Sequence, residues 1–220
     1  MKIFLDTADY DVIKKWSSTC LIDGVTTNPS LLSKVPNTTL RTHIQKICGA
    51  MGERPVSVEV TERDPQAVYK QAHAIADIAD NIVVKIPCFQ ENIDVIQKLI
   101  NEEISLNITL VFSATQALFM AKLGVDYISP FIGRLDDIGS EGIQLIRDCA
   151  EIFEAYSYET EILAASIRSP RHIHEAALSG SDIVTVPISV LEKAFKHPLS
   201  DTGLDTFLAD WKSTGITTFP

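Results

Sequence analysis

The sequence predicts an α/β fold, in the form of a single (β/α)8 barrel with an extra C-terminal helix. Three observations predict it. Short apolar runs rich in β-branched residues alternate with stretches of helical period along the chain. Eight such runs can be counted, which is the number that a closed barrel needs. The chain has 220 residues, of which 45% are hydrophobic, and this suits one barrel domain over residues 1–220.

The predicted strands are short and mostly apolar. In chain order they cover residues 2–6, 23–27, 56–60, 82–86, 105–111, 125–130, 162–166 and 182–186. Uninterrupted alternation of strand and helix is typical of a parallel sheet. An open, doubly wound sheet is the alternative, but the glycine-rich dinucleotide turn that usually accompanies it is missing here.

Amphipathic stretches between these runs predict the helices. The clearest examples cover residues 65–78, 91–101, 114–123, 142–155 and 170–178. A last helix, over 201–213, carries an apolar stripe at positions i, i+3, i+4 and i+7, formed by Leu204, Phe207, Leu208 and Trp211. A helix near 190–195 already completes the barrel, so we expect this stripe to dock on a neighbouring subunit. Docking on its own barrel is the alternative.

Composition and charge exclude several classes of function. The formal net charge is −10 and no run of Lys or Arg is present, which argues against nucleic acid and anionic membranes as partners. The N-terminus reaches acidic residues too early for a signal peptide, and no apolar run is long enough to span a membrane. Four cysteines without C-x-x-C spacing are interpreted as reduced thiols of a cytoplasmic protein. The scattered histidines predict no metal, and no cofactor is expected.

A barrel places its chemistry at the C-terminal ends of the strands. Nearly every predicted strand has a polar residue there, and the set comprises Asp6, Thr26, Asn28, Glu59, Lys85, Thr109, Ser129 and Ser166. This ring is a stronger indication of an active site than any single member.

Lys85 follows Ile82, Val83 and Val84 in a strand that should be buried on both faces. Lysine is almost never fully buried unless it is paired. Either its stem lies in the core while the amine reaches water at the strand end, or the amine is kept dry because it is reactive. Desolvation disfavours the ammonium form, and a neutral amine can attack a ketone to give a Schiff base.

Two carboxylates accompany this lysine. Asp6 either caps the following helix, as Thr7 and Asp9 also could, or exchanges a hydroxyl proton beside the amine. Glu59 lies in an apolar strand, where a carboxylate is costly unless it is paired or protonated. It either forms an ion pair with Lys85 or Arg54, or takes part in acid–base chemistry through a water molecule.

Arginines after the sixth and seventh strands indicate an oxyanion site. Arg134 follows Gly133, while Ser166 and Arg168 precede a predicted helix N-terminus. Arginine binds phosphate in a bidentate manner, and barrels often hold phosphate near the seventh and eighth strands. Salt bridges at the surface are the alternative, and this alternative is strongest for Arg171.

Several stretches together resemble the small transaldolases, a group that includes the fructose-6-phosphate aldolases. They are FLDTA, GVTTNPSL, VVKIP, NITLVFSATQA, YISPFIGRLDDIG, ILAASIRSPRH and HPLSDTGLDTFLADWK. The resemblance covers essentially the whole chain. It implies a (β/α)8 barrel, a class I aldol mechanism without a metal, and a homo-oligomer built as a ring of five or two stacked rings.

The resemblance also implies a role for each site residue. Lys85 is similar to the Schiff-base lysine, and Asp6 to the acid–base group for the C4 hydroxyl. Glu59 and Thr109 resemble the pair that holds the catalytic water. Asn28 and Ser129 resemble the groups that bind the dihydroxyacetone part, with Thr26 in the same pocket, and Arg134, Ser166 and Arg168 resemble the phosphate site.

Two positions distinguish the subgroups. The aldolases carry Gln where this chain has Glu59 and Tyr where it has Phe131, so the resemblance favours a transaldolase acting on sugar phosphates. The loop PCFQEN after Lys85 departs from the more usual pattern. A fructose-6-phosphate aldolase that releases free dihydroxyacetone is one alternative. A non-catalytic sugar-phosphate binder is another, although it has no use for a buried lysine.

Overall fold

A computed structural model describes residues 1–35 and 39–218. Eight parallel strands form a closed barrel in sequential order, with the first strand paired to the eighth. The predicted fold is therefore confirmed. Of the range 1–220 predicted as one domain, residues 36–38 and 219–220 lie outside the described residues.

The strands are β1 (Lys2–Asp6), β2 (Gly24–Thr26), β3 (Val56–Glu59), β4 (Ile82–Pro87), β5 (Leu106–Val111), β6 (Tyr127–Pro130), β7 (Glu161–Ala164) and β8 (Ile183–Val186). The helices are α1 (Tyr10–Ser17), α2 (Pro29–Leu32), α3 (Leu40–Met51), α4 (Pro65–Ala76), α5 (Ile93–Asn101), α6 (Ala114–Leu123), α7 (Ile132–Asp136), α8 (Gly142–Tyr156), α9 (Pro170–Leu178), α10 (Ile188–Ala194) and α11 (Pro198–Ser213). A 3-10 turn at Gln90–Asn92 precedes α5.

The helices begin where the sequence supplies caps. Asp9, Ser113 and Ser169 accept backbone N–H bonds at the starts of α1, α6 and α9. In α6 the cap is reinforced by Gln116, whose side-chain oxygen accepts the backbone N–H of Ser113. Proline occupies the first turn of α2, α4, α9 and α11, where its missing N–H has no helical partner to lose.

Most of the apolar core lies between the outer face of the strands and the helices. A smaller cluster fills the barrel interior, and it includes Phe4, Leu163 and Ile183. The Phe4 ring lies over Gly24, where an added Cβ would be 2.6 Å from the ring. Glycine at this position therefore lets the aromatic ring fill the middle of the barrel.

Three aspartates close the N-terminal end of the barrel in the same way. Asp23, Asp126 and Asp182 accept the backbone N–H groups of Ile3, Leu106 and Ile162, each at 2.8 Å. A salt bridge of 2.7 Å between Lys2 and Glu161 joins β1 to β7 at this end. Structural hydrogen bonds thus occupy the N-terminal end of the barrel, whereas the predicted site residues lie at the C-terminal ends of the strands.

The last helix is longer at its start than predicted. α11 begins at Pro198 because His197 caps it and Pro198 suits the first turn. No residue of α11 is buried, and the four residues of its apolar stripe are 40–72% exposed in the single chain. In the single chain the stripe is therefore largely exposed, and its docking on a neighbouring subunit stays a prediction.

Among residues 1–35 and 39–218, no helix has both the length and the apolar character needed to cross a membrane. The four cysteines are all unpaired, and only Cys20 is exposed. Burial raises the pKa of the Cys48 and Cys88 thiols to about 11 and that of Cys149 to about 12.

Candidate active site

A cavity of about 490 Å³ opens at the C-terminal ends of the strands. Ten of the eleven predicted site residues line it, and they are Asp6, Thr26, Asn28, Glu59, Lys85, Ser129, Phe131, Arg134, Ser166 and Arg168. The exception is Thr109. Residues that are far apart in the sequence thus meet in one place because parallel barrel strands all end at the same face.

Lys85 lies in β4 at the floor of this cavity and is only 6% exposed. Its neighbour in the barrel is Glu59 of β3, and the register pairs the two residues directly. Lys85 Nζ lies 3.1 Å from Glu59 Oε2 and donates to the backbone oxygen of Thr27 at 3.4 Å. The amine is therefore kept within the barrel and does not extend to bulk water.

Glu59 pairs with Lys85 and not with Arg54. The Arg54 guanidinium is engaged elsewhere, by the backbone oxygens of Met51, Ile22 and Ser17 at the opposite end of β3. With side-chain exposures of 7% for Lys85 and 12% for Glu59, the pair is shielded from solvent. A carboxylate this close can accept a proton from the amine and return it.

Asp6 ends β1 and points into the same cavity. The helix that follows is capped by Asp9, so Asp6 is not used as a cap. Burial raises the pKa of the Asp6 carboxyl, while Lys85 and a hydrogen bond from Thr26 oppose this effect. Thr26 Oγ1 donates to Asp6 Oδ1 at 3.0 Å. A carboxyl with a raised pKa is suited to taking up and releasing a proton.

Asn28 has a structural role and a position at the cavity. Its Oδ1 accepts the N–H of Leu31 at 3.0 Å and caps α2, with Pro29 at the first helical position. This bond uses the amide oxygen, so the amide nitrogen is the part of Asn28 that can donate to a ligand.

Thr109 is fully buried in β5, and within the described residues its hydroxyl has no hydrogen-bond partner. The β5–β6 register shifts between Ile108 and Val111, and Leu110 adopts a positive φ of 57°. This irregularity brings Leu110 to the cavity wall, where regular alternation would have placed its side chain on the other face. The structure therefore leaves Thr109 behind the wall.

Two arginines, Arg134 and Arg168, line the same cavity. Arg134 lies in α7, and its guanidinium stacks on the Phe131 ring at 4.8 Å from the ring centroid. No carboxylate of residues 1–35 or 39–218 forms a salt bridge with it. Stacking fixes the plane of the guanidinium and leaves its N–H edge available for an oxyanion.

Arg168 comes from the loop after β7. Its Nη2 is 2.6 Å from Asp137 Oδ2, and both side chains are about half exposed. Gly133 lies beneath this loop, since an added Cβ there would be 2.3 Å from the Ser166 backbone oxygen and 2.6 Å from Arg168 Cγ. Ser166 itself has a positive φ of 60° and lies beyond the end of β7, which stops at Ala164. Arg171, in contrast, is 81% exposed and pairs with Glu175.

Sequence reasoning missed the hydrogen bonds that join the predicted site residue Ser129 to Asn107 and Ser57 inside the barrel. Asn107 Nδ2 donates to Ser57 Oγ at 3.2 Å, and Ser129 Oγ donates to Asn107 Oδ1 at 2.7 Å. All three side chains are buried. Period-two alternation could have found Ser57 and Asn107, because each lies two residues before a predicted site residue on the same strand. Thr185, the polar residue of β8, also lines the cavity and was missed.

The sequence also matches the family model described as transaldolase/fructose-6-phosphate aldolase, over residues 3–218. The chain belongs to this family.

Three relatives in the family illustrate the similarity. A probable transaldolase of Petrotoga mobilis is 49% identical over 212 residues, which are 96% of this chain and 95% of the relative. A probable transaldolase of Caulobacter vibrioides is 50% identical over 215 residues, 98% of each chain. One from Methanococcus maripaludis is 47% identical over 213 residues, 97% of this chain and 98% of the relative.

Solved structures at low identity share the fold alone. A flavocytochrome b2 variant with sulfite bound superposes with a TM-score of 0.59 at 9% identity, over 84% of this chain and 56% of that chain. A thiamine phosphate pyrophosphorylase from Pyrococcus furiosus gives a TM-score of 0.56 at 15% identity, over 84% and 85% of the two chains. This family member therefore has an architecture that proteins of different chemistry also use.

Proposed function

We propose that the protein is a transaldolase, which transfers a dihydroxyacetone unit from a ketose phosphate to an aldose phosphate through a Schiff base on Lys85. The observation that carries this proposal is a shielded lysine amine, 3.1 Å from Glu59, in a cavity that two arginines also line. Donors would be sedoheptulose 7-phosphate or fructose 6-phosphate. Acceptors would be glyceraldehyde 3-phosphate or erythrose 4-phosphate.

The reaction starts at Lys85. Its neutral amine attacks C2 of the ketose, and loss of water from the carbinolamine gives an iminium ion. Glu59 is placed to carry protons during these steps through a water molecule. The buried hydroxyl of Thr109 needs a hydrogen-bond partner, which supports a role in holding that water even though Thr109 does not line the cavity wall.

Carbon–carbon cleavage uses Asp6. The carboxylate takes the proton of the C4 hydroxyl, the C3–C4 bond breaks, and its electron pair moves into the iminium to give an enamine on Lys85. The aldose phosphate leaves, and the enamine then attacks the aldehyde carbon of the acceptor. Asp6 returns its proton to the new C4 hydroxyl, and hydrolysis of the Schiff base releases the product ketose.

Residues that line the cavity would hold both parts of the substrate. Asn28, Ser129 and Thr26 would bind the dihydroxyacetone hydroxyls. Arg134, Arg168 and Ser166 line the same cavity and would bind the phosphate. The iminium itself accepts the electron pair, so we propose that the reaction is metal-independent. With these sugar phosphates as substrates, it would belong to pentose phosphate metabolism. Four unpaired cysteines support a reducing, cytoplasmic compartment.

A fructose-6-phosphate aldolase is the second candidate, since the family contains both activities by its description. It would release free dihydroxyacetone by protonating the enamine. Phe131 argues for transfer, because its phenyl ring faces the cavity and has no donor or acceptor to position a water. Glu59 also matches the transaldolase type.

The proposal is tested by incubating the protein with fructose 6-phosphate, with and without erythrose 4-phosphate, and measuring sedoheptulose 7-phosphate. We expect this product only when both sugars are present. Lys85→Met should abolish it while leaving the circular dichroism spectrum unchanged, and Lys98→Met on the exposed face of α5 is the matched control. Release of free dihydroxyacetone as the main product would favour the aldolase, and no conversion of either kind would refute both candidates.

A further inference from the structure

Thr185 of β8 has no role in the steps above, yet its side chain lies at the centre of the site. It is 4% exposed, lines the cavity, and its Oγ1 is 2.5 Å from Thr26 Oγ1. Thr26 Oγ1 in turn is 3.0 Å from Asp6 Oδ1. The strand order explains this arrangement, because β1 with Asp6 lies between β2 and β8.

The number of available protons fixes the direction of these two bonds. A hydroxyl carries one proton, whereas an ionised carboxylate can only accept. When Asp6 is ionised, the Thr26 proton is used on Asp6. The contact between the two hydroxyls is then a hydrogen bond only if Thr185 is the donor. The order of donation is therefore Thr185 to Thr26 to Asp6.

The same three groups remain hydrogen-bonded after Asp6 takes up a proton. A protonated Asp6 can donate to Thr26, Thr26 can then donate to Thr185, and the whole chain of bonds reverses its direction. Neither state leaves a buried hydroxyl without a partner, which would otherwise be costly. The bonds that run toward an ionised carboxylate are charge-assisted and about twice as strong as the neutral bonds of the reversed chain, so the chain as a whole favours ionised Asp6.

We infer that Thr185 is a positioning residue for the acid–base group, which it serves by holding the Thr26 hydroxyl as a donor to ionised Asp6. The inference rests on the proposed role of Asp6. The charged groups that act on Asp6 are Lys85 from β4 and Glu59 from β3, and they oppose one another. Successive hydrogen bonds polarise each other, so the Thr185 hydroxyl strengthens the bond that Thr26 gives to the carboxylate.

The test replaces Thr185 by Val, which removes the hydroxyl and keeps the shape. Burial raises the pKa of Asp6 and the Thr26 bond lowers it, so a weaker bond should raise this pKa further. From the net worth of one hydrogen bond we expect a shift of roughly half a pH unit. The readout is the titration of the Asp6 carboxyl carbon by NMR, assigned by comparison with Asp6→Asn.

Thr185→Ser should restore the original titration, and Thr160→Val is the matched control because Thr160 is also buried but bonds to the Val125 backbone oxygen. If Thr185→Val does not fold, Thr185→Ala serves the same purpose. An Asp6 titration that is the same in Thr185→Val, or in Thr185→Ala where that variant replaces it, as in the wild type would overturn the inference. In an active enzyme, the acidic limb of the kcat/KM profile should move to higher pH by the same amount.

The NMR titration needs no turnover, which keeps the two hypotheses separate. If no sugar phosphate is converted but the Asp6 titration still moves in Thr185→Val, the positioning of the carboxyl stands and the proposed reaction fails. If transfer occurs and neither the titration nor the pH profile moves, the reaction stands and Thr185 is only a packing residue.

Discussion

Phe131 is the residue on which we expect the choice between transfer and release to depend. Its ring is 8% exposed and packs between the Phe112 ring, at 5.4 Å, and the Arg134 guanidinium. The ring therefore orients the Arg134 guanidinium, and in the proposed mechanism its apolar edge would face the enamine. A water that reached the enamine would find no polar anchor there.

Phe131→Tyr should increase release of free dihydroxyacetone from fructose 6-phosphate and decrease transfer to erythrose 4-phosphate. The added hydroxyl places one proton donor at the cavity, and such positioning is worth roughly a hundredfold in rate. Both rates are followed in coupled assays on one preparation, with Phe119→Tyr on the exposed side of α6 as the control. An unchanged ratio of release to transfer would reduce Phe131 to a packing residue.

Asp6 should make stability depend on pH in the opposite sense to most aspartates. Burial raises its pKa in the folded protein above the ordinary value of 3.8. Its favourable contribution is then fully present below the unfolded pKa and is lost as the pH rises through the folded pKa. Asp6→Asn should therefore unfold at a higher temperature than the wild type at neutral pH, although it is inactive.

This gain should shrink as the pH falls toward the unfolded pKa, because the wild-type carboxyl is then protonated in both states. The difference in melting temperature between Asp6→Asn and the wild type is measured by thermal unfolding across the acidic pH range. A lower melting temperature for Asp6→Asn at neutral pH would contradict the account of the carboxyl.

At the scale of elements, α7 carries Arg134 and contacts the loop that carries Arg168, the second arginine of the cavity. Gly133 of this helix allows the loop after β7 to approach, and an added methyl group has only 2.3 Å to the Ser166 oxygen. We expect Gly133→Ala to destabilise the protein by about 1–3 kcal/mol, the usual cost of overpacking. It should also raise the KM for erythrose 4-phosphate, because Arg168 must move.

Gly49→Ala is the matched control, since Gly49 lies within α3 and an added Cβ there meets no atom within 4 Å. In a helix interior this change should stabilise by roughly 0.5–1 kcal/mol. Urea unfolding compares the two variants. If the two substitutions changed the free energy of unfolding equally, the added methyl group at Gly133 would be accommodated without strain, which would contradict the prediction.

The approximate bounds of each strand and helix could be predicted from the sequence, because buried and exposed residues alternate with the period of the element. All eight strands occur within two residues of their predicted bounds, and Lys85, Asp6 and Glu59 were found as polar residues at strand ends. Thr185 was not, because a threonine among Ile and Val is also a normal β-branched strand residue. Thr109 was expected at the site, but the positive φ of Leu110 changes which side chain faces the cavity. Salt bridges such as that of Arg168 with Asp137 depend on loop conformation, which produces no periodic pattern in the sequence.

At the scale of the whole molecule, the exposed stripe of α11 should form an interface between subunits. Leu204, Phe207 and Leu208 are more than half exposed in the single chain, and apolar stripes of this kind normally face a packed surface. We expect light scattering to give a pentamer or a decamer. Phe207→Glu should produce smaller species, whereas Thr206→Glu beside the stripe should not. A wild-type monomer at micromolar concentration would contradict this prediction.

The covalent intermediate on Lys85 is the most direct test of the account. The protein is treated with fructose 6-phosphate and borohydride, which reduces a Schiff base to a stable secondary amine, and the modified peptide is located by mass spectrometry. Because Lys85 is the shielded amine of the cavity, the account predicts one adduct, on Lys85, and none when the sugar is omitted. An adduct on a different lysine, or no adduct under conditions of turnover, would contradict it.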